Sequence, residues 1–197
     1  KLRVEHIGNE VSRLPRNAPK QLLLVGDQVY ETNKVEEIAG HPVLNMGVKG
    51  DEIDKQDGGV LRRLNLLPMA QAGNVILMIG FNDIISGKQL ELLERQYREL
   101  VRLIRGMVPA ATLRLQTLLP TRDRYERHIP DIAMFNVMVE ETAHTMHLHL
   151  IDAFAPMQDE DGMLRQNYSP DGYMLNDTGY EALNEILVQH MKSGQPY

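Results

Sequence analysis

The sequence predicts a three-layer α/β domain in which helices cover both faces of a parallel sheet of about five strands. Short apolar runs alternate with stretches of helical periodicity along the whole chain. The apolar runs are continuous rather than alternating, as expected for strands that are buried on both faces of a parallel sheet. The 197 residues contain no internal repeat and no linker, so we predict one domain over residues 1–197.

Five apolar runs are the predicted strands. The first is rich in leucine and ends in a Gly-Asp turn, and the third is the most strand-like segment of the chain. In chain order, the predicted strands cover residues 21–26, 42–46, 74–80, 112–118 and 149–152. Because these strands are parallel, right-handed crossovers should connect them.

Helical patterns fill the gaps between the predicted strands. In residues 88–105, apolar side chains recur at helical spacing with charged residues between them. A second helix begins near Pro130 and runs to residue 146, and a last one is capped within residues 176–178 and ends near residue 191. Residues 1–20 are predicted to form an additional helix and lead-in. Packing of this helix on the domain and a contact in a homo-oligomer are both open.

Composition and charge exclude several classes of function. The chain carries 21 Lys and Arg against 27 Asp and Glu, a formal net charge of −6, which argues against a nucleic-acid partner. It has no cysteine, so a disulfide framework, a thiol nucleophile and a cysteine metal site are excluded. No apolar run approaches the roughly 18 residues of a membrane span. The compartment stays open, because many exported proteins also lack cysteine.

Three histidines near one helix end are the only pattern that invites a metal interpretation. They are His144, His147 and His149. A predicted helix ends and a strand begins within this stretch, so the three rings should point in different directions. No carboxylate completes the spacing of a known site. We therefore predict neither a metal site nor a cofactor.

Polar and glycine-rich loops follow the predicted strands, at the edge where open α/β sheets bind their ligands. They are Gly-Asp-Gln at residues 26–28, Asn-Met-Gly-Val-Lys-Gly-Asp at 45–51, Gly-Phe-Asn-Asp at 80–83 and Asp-Gly-Tyr-Met-Leu-Asn at 171–176. Each loop alone is ordinary turn chemistry. Their order and their position at strand ends make the combination informative.

Together these four blocks resemble the SGNH (GDSL-type) hydrolase family. The corresponding family blocks are Gly-Asp-Ser, Asn-x-Gly-x-x-Gly-Asp, Gly-x-Asn-Asp and Asp-Gly-x-His-Leu-Asn. The resemblance covers nearly the whole chain and implies the family's α/β fold. It further implies a serine hydrolase that deacylates esters, often acetyl esters, on sugars, lipids or small molecules.

The resemblance assigns a role to each matching position. The serine position, Gln28, would hold the nucleophile, and the histidine position, Met174, would hold the general base. Asp171 would orient that base. The oxyanion hole would consist of the backbone N–H at the nucleophile position, the backbone N–H of Gly50 and the side chain of Asn82.

Two of these positions carry residues that cannot perform the chemistry. The amide nitrogen of Gln28 is not a usable nucleophile, and the thioether of Met174 accepts no proton near neutral pH. We therefore expect an esterase homologue that is catalytically inactive or impaired. The alternative is a non-catalytic module that binds a small-molecule, carbohydrate or lipid acyl ester, or acts as a scaffold. An unrelated flavodoxin-like domain is disfavoured, because the first strand is followed by no glycine-rich phosphate loop.

Three further residues are predicted to lie at the same pocket. Phe81 and Tyr173 could stack on a sugar or an acyl chain. Asp27 could approach Asp171 to form a carboxylate pair for acid–base chemistry. We favour a structural role for Asp27, because an Asp after Gly commonly bonds to the backbone of its own turn. Met174 would make the pocket less polar.

Overall fold

The computed structural model describes residues 2–193, and its centre is a six-stranded sheet. Across the sheet the strand order is β2-β3-β1-β4-β5-β6. In chain order the strands are β1 (Gln21–Gly26), β2 (Glu37–Ile38), β3 (His41–Asn45), β4 (Ala72–Met78), β5 (Thr112–Gln116) and β6 (His149–Ile151). All neighbours pair in parallel except β2 and β3, which are antiparallel. Lys1 and residues 194–197, at the ends of the predicted domain, lie outside the described residues.

The predicted fold class is confirmed, with one additional strand. The five predicted strands are all present, and each differs from its predicted range by at most two residues at either end. The additional strand, β2, is two residues long and extends the edge beyond β3. A segment this short has no detectable periodicity, so the sequence did not predict it.

Helices lie on both sides of the sheet. They are α1 (Leu2–Arg13), α2 (Gln28–Thr32), α3 (Leu66–Met69), α4 (Phe81–Ile85), α5 (Leu90–Met107), α6 (Ile129–Thr145) and α7 (Asp177–Ser193). The three long predicted helices correspond to α5, α6 and α7. Pro130 lies in the first turn of α6, where its missing N–H costs nothing. The carboxamide oxygen of Asn176 accepts a hydrogen bond from the N–H of Gly179, so the predicted cap of α7 is present.

The core lies where the central strands meet the apolar faces of the helices. All six residues of β1 are buried, and so are the last four residues of β4. The predicted apolar face of α5 is also buried, with Leu93, Tyr97, Leu100, Val101 and Ile104 inaccessible to solvent. These contacts fix the carboxyl ends of β1, β3 and β4 beside one another, and the loops that follow them carry the candidate site.

The N-terminal helix α1 packs against the rest of the chain, which is one of the two arrangements that its sequence left open. Ile7 and Val11 are buried against the core. The guanidinium of Arg3 donates to the carbonyl of Asn45 at 2.7 Å and to that of Gly47 at 3.2 Å. Among residues 2–193, no helix has the length and apolar character needed to cross a membrane.

Candidate functional site

The site lies at the carboxyl ends of three neighbouring strands. Gln28 follows β1, Gly50 lies in the loop after β3, and Asn82 follows β4. Because β1 lies between β3 and β4 in the sheet, the three loops meet at one edge. The structure thus brings together the predicted nucleophile position and both predicted oxyanion-hole residues.

The carboxamide of Gln28 binds both predicted oxyanion-hole donors. Its oxygen accepts a hydrogen bond from the backbone N–H of Gly50 at 3.0 Å and one from Nδ2 of Asn82 at 2.9 Å. Its nitrogen donates to Oδ1 of Asn82 at 3.2 Å. Gln28 and Asn82 are each 8% exposed, so these bonds are largely shielded from water. The Gln28 oxygen therefore occupies the point at which the two donors converge.

A further contact fixes the orientation of the Asn82 carboxamide. Its Nδ2 also donates to the backbone carbonyl of Asp51 at 2.7 Å. This bond directs the nitrogen toward the loop and leaves Oδ1 to face the nitrogen of Gln28. The reciprocal amide pair between Gln28 and Asn82 follows from this orientation.

A buried ion pair holds the loop that carries Gly50. The carboxylate of Asp51 pairs with the guanidinium of Arg63, and both side chains are 6% exposed. The same guanidinium donates to the carbonyls of Met46 at 3.2 Å and Gly26 at 3.4 Å. Arg63 thereby connects the Gly50 loop to the ends of β1 and β3. No sequence pattern indicates this role, because Arg63 lies outside all four blocks.

Both carboxylate oxygens of Asp27 accept hydrogen bonds from within the fold. Its Oδ1 accepts the N–H of Val29 at 3.0 Å, which caps α2, and its Oδ2 accepts the hydroxyl of Tyr173 at 2.8 Å. Burial raises the pKa of Asp27 to about 6, although both hydrogen bonds act in the opposite direction. Asp27 is inaccessible to solvent, and its carboxylate oxygens bind Val29 and Tyr173 rather than Asp171. The alternative of a catalytic carboxylate pair is therefore not supported.

Phe81 and Tyr173 are not available to stack on a ligand as the sequence suggested. Their rings stack on each other, with centroids 3.5 Å apart and an interplanar angle of 13°. Phe81 is 1% exposed and Tyr173 is 3% exposed, and Tyr125 packs edge-on against both. The rings form the packed layer beneath the site rather than its wall, because burying their apolar faces against each other is favourable.

Asp171 organises the last loop and binds a residue that the sequence did not single out. Its Oδ1 accepts the backbone N–H of Met174 at 2.8 Å and that of Tyr173 at 3.1 Å. Its Oδ2 lies 3.2 Å from Nη2 of Arg124. Met174, at the base position, is half-buried and packs against the core. In the sequence, acidic residues interrupt the arginines around Arg124, a pattern that is typical of a solvated loop.

Gly172 explains why this loop runs beside the Arg124 segment. Its φ is +85°, and a Cβ at this position would lie 2.2 Å from the carbonyl oxygen of Arg122. The N–H of Arg122 also donates to the carbonyl of Gly172 at 2.9 Å. Only glycine allows the two backbones to approach this closely. The approach is what brings Arg124 within reach of Asp171.

The described residues contain no metal-binding cluster. Within residues 2–193, no three His, Asp or Glu side chains are grouped so that they could hold a metal ion. His144 lies in α6 and His149 in β6, and His147 between them has a φ of +53°.

Comparisons with known proteins agree with the four sequence blocks. The model of the GDSL-like lipase/acylhydrolase family matches residues 26–182, which contain all four blocks. A comparison with curated protein sequences finds no match. Residues 26–182 are well over half of the chain, so the match shows the family.

Solved structures share the fold at low sequence identity. A GDSL-like lipase from Bacteroides thetaiotaomicron is 16% identical with a TM-score of 0.77, and the alignment covers 98% of each chain. An acetylxylan esterase from Geobacillus stearothermophilus is 14% identical with a TM-score of 0.68, covering 88% of this chain and 94% of that one. A peptidoglycan O-acetylesterase is 20% identical with a TM-score of 0.65, covering 78% of this chain and 47% of that one. These likenesses show the fold, and with the family match they establish that this chain belongs to the GDSL-like lipase/acylhydrolase family.

Proposed function

We propose that this chain is a non-hydrolytic member of its family, in which the carboxamide of Gln28 takes the place of the ester carbonyl. One observation carries the proposal: the Gln28 oxygen accepts from Gly50 N–H at 3.0 Å and from Asn82 Nδ2 at 2.9 Å. Donors of an oxyanion hole lie 2.7–3.1 Å from the oxygen that they stabilise. The two donors are therefore already used by a side chain of the protein.

The proposed loss of hydrolysis has two independent causes. The carboxamide blocks the position of the reacting carbonyl, and it cannot attack an acyl group in place of a serine hydroxyl. Met174 cannot accept the proton that an attacking hydroxyl would release. Removing a triad member lowers turnover by a factor of about 10⁴ to 10⁶, and removing several costs little more than removing one.

The proposed ancestral reaction is the deacylation of esters, with acetyl groups on carbohydrates as the substrate class. This proposal rests on the names of two structural neighbours, an acetylxylan esterase and a peptidoglycan O-acetylesterase. It also agrees with the site residues that remain, since Gly50 and Asn82 are the donors that an ester hydrolysis would require.

Hydrolysis of p-nitrophenyl acetate tests the proposal. We would compare the protein with Gln28→Ser, with Met174→His and with the double variant. We expect the protein to hydrolyse the ester at the background rate and the double variant to exceed it. An enzyme-like rate from the unaltered protein would overturn the proposal, because another residue would then carry the chemistry.

A cavity beside the site favours a second candidate function, a binding module. It has a volume of about 760 Å³, lies between α1 and residues 48–63, and includes Gly50 and Asp51 in its wall. Ligand cavities commonly span about 300–1,000 Å³. Amide chemical shifts of Gly50 and Gly58 would be followed during titration with acetylated xylo-oligosaccharides. Saturable shifts without hydrolysis would support binding here, and unchanged spectra would count against it.

A further inference from the structure

The two carboxylate oxygens of Asp171 differ in the hydrogen bonds that they accept. Oδ1 of Asp171 accepts two backbone N–H groups, from Tyr173 and Met174, and the hydroxyl of Ser169 lies 3.4 Å away. Oδ2 has Arg124 as its side-chain partner, at 3.2 Å. A basic side chain at position 174 would therefore depend on Oδ2 for its hydrogen bond. Arg124 occupies that position.

A second contact holds the guanidinium of Arg124 near Asp171. Its Cζ lies 4.6 Å from the centroid of the Tyr125 ring, within the range of a cation–π interaction. Tyr125 in turn packs edge-on against the buried stack of Phe81 and Tyr173. The aromatic layer beneath the site thus supports the arginine that faces Asp171, although the Arg124 side chain is 66% exposed.

We infer that Arg124 is a third departure from the hydrolase site, in addition to Gln28 and Met174, and that it takes the carboxylate oxygen on which a catalytic base would depend. This inference rests on the proposed function, because it interprets Asp171 as the former orienting residue. Gln28 satisfies the retained oxyanion-hole donors, and Arg124 satisfies the retained orienting acceptor. Side chains of the protein therefore occupy both the predicted oxyanion-hole donors and the predicted orienting carboxylate.

The charge of Arg124 makes the inference measurable. A carboxylate beside an imidazole favours the protonated ring, whereas a cation bound to that carboxylate opposes this effect. Asp171 accepts the backbone N–H of Met174 and pairs with Arg124, and the carboxylate of Asp27 accepts the hydroxyl of Tyr173, the residue before Met174. A charge a few ångströms away in a partly exposed site shifts an imidazole pKa by about one unit.

The experiment introduces an imidazole at position 174 and removes the arginine. NMR titration would give the imidazole pKa in Met174→His and in Met174→His/Arg124→Met, both of which retain Gln28. We expect the pKa to rise by about one unit when Arg124 is removed, because the carboxylate is then free to bind the ring. Arg127→Met is the matched control, since Arg124 and Arg127 both lie in the 3₁₀ helix Asp123–His128 and Arg127 contacts His128 instead. It should leave the imidazole pKa unchanged.

A second measurement uses the variants with a restored serine. Addition of Arg124→Met to Gln28→Ser/Met174→His should raise kcat/KM for p-nitrophenyl acetate about threefold to tenfold at pH values above the imidazole pKa. The acidic limb of the pH profile should move upward by about one pH unit with that pKa. An imidazole pKa that is the same with and without Arg124 would overturn the inference. The titration needs no turnover, so it is decided separately from the assay of the unaltered protein, which tests the proposed function.

Discussion

Replacement of Gln28 by methionine tests, through protein stability, the proposal that Gln28 occupies the predicted oxyanion hole. Methionine keeps the length of the side chain and removes its carboxamide. The N–H of Gly50 and Oδ1 of Asn82 would then lose their partner, whereas Nδ2 of Asn82 would keep the carbonyl of Asp51. A buried polar group without a partner costs about 1–3 kcal/mol, so two such groups cost about 2–6 kcal/mol.

Two smaller effects reduce the net cost of this substitution. Burial of a thioether in place of an amide is favourable by about 1 kcal/mol, on the scale of one or two buried methylene groups. Small shifts of the loop would also let water reach one of the two groups. We therefore expect Gln28→Met to lower the free energy of unfolding by about 1–4 kcal/mol. Gln28→Ala leaves space for water and should cost less, about 1–2 kcal/mol.

Urea unfolding followed by circular dichroism gives these free energies. Gln56→Met is the matched control, because Gln56 is exposed, and an exposed substitution of this kind changes stability by at most about 0.5 kcal/mol. If Gln28→Met costs no more than Gln56→Met, the Gln28 carboxamide does not bind the two donors in solution. A larger loss of stability in Gln28→Ala than in Gln28→Met would likewise contradict the reasoning. The cost of the cavity would then exceed the cost of the unsatisfied polar groups.

Two further predictions concern the buried charges around the site. The pKa of Asp27 is raised from 3.8 to about 6 in the folded protein, so its contribution to stability is present below pH 4 and is lost as the pH rises through 6. Relative to Asp27→Asn, the free energy of unfolding should fall by about 2 kcal/mol between pH 4 and pH 7, which is most of the effect of a pKa raised from 3.8 to about 6; a difference that is independent of pH in urea unfolding would contradict this. Arg63→Met leaves the carboxylate of Asp51 buried without its partner and should cost about 3–5 kcal/mol at pH 7. Guanidinium unfolding at pH 7 and pH 4 measures the free energy of unfolding that Arg63→Met loses. If that loss is no smaller at pH 4, the unpaired charge of Asp51 is not its cause.

The sheet could be predicted from sequence because its signal is local. Each central strand is a continuous apolar run, and this pattern reports burial on both faces whatever the tertiary contacts are. The long helix Leu90–Met107 could likewise be predicted, because its apolar residues recur at helical spacing. The two-residue strand Glu37–Ile38 depends on its neighbour for its conformation, and no local pattern marks it.

The candidate site was predictable in position but not in its contacts. Gln28, Gly50 and Asn82 could be placed at one edge because each follows a strand of a parallel sheet. The hydrogen bonds between them depend on the length of the glutamine side chain, which a serine at this position does not share. The burial of Phe81 and Tyr173 could not be predicted from the sequence either, because an aromatic residue after a strand can face either a ligand or the core.

The hydrogen bonds of Gln28 favour ligand binding in the cavity beside α1 over binding at the predicted oxyanion hole. A ligand that presents an ester or amide carbonyl to Gly50 and Asn82 must first displace the carboxamide of Gln28, which makes three hydrogen bonds there. The ligand restores two of these bonds with its own oxygen, but the nitrogen of Gln28 and Oδ1 of Asn82 must find other partners, at a cost of about 1–3 kcal/mol each. A cost of this size lowers affinity by one to several powers of ten, about tenfold for each 1.4 kcal/mol. Recognition of an acyl group in the old hole is thus disfavoured, and binding in the cavity beside α1 avoids the cost entirely.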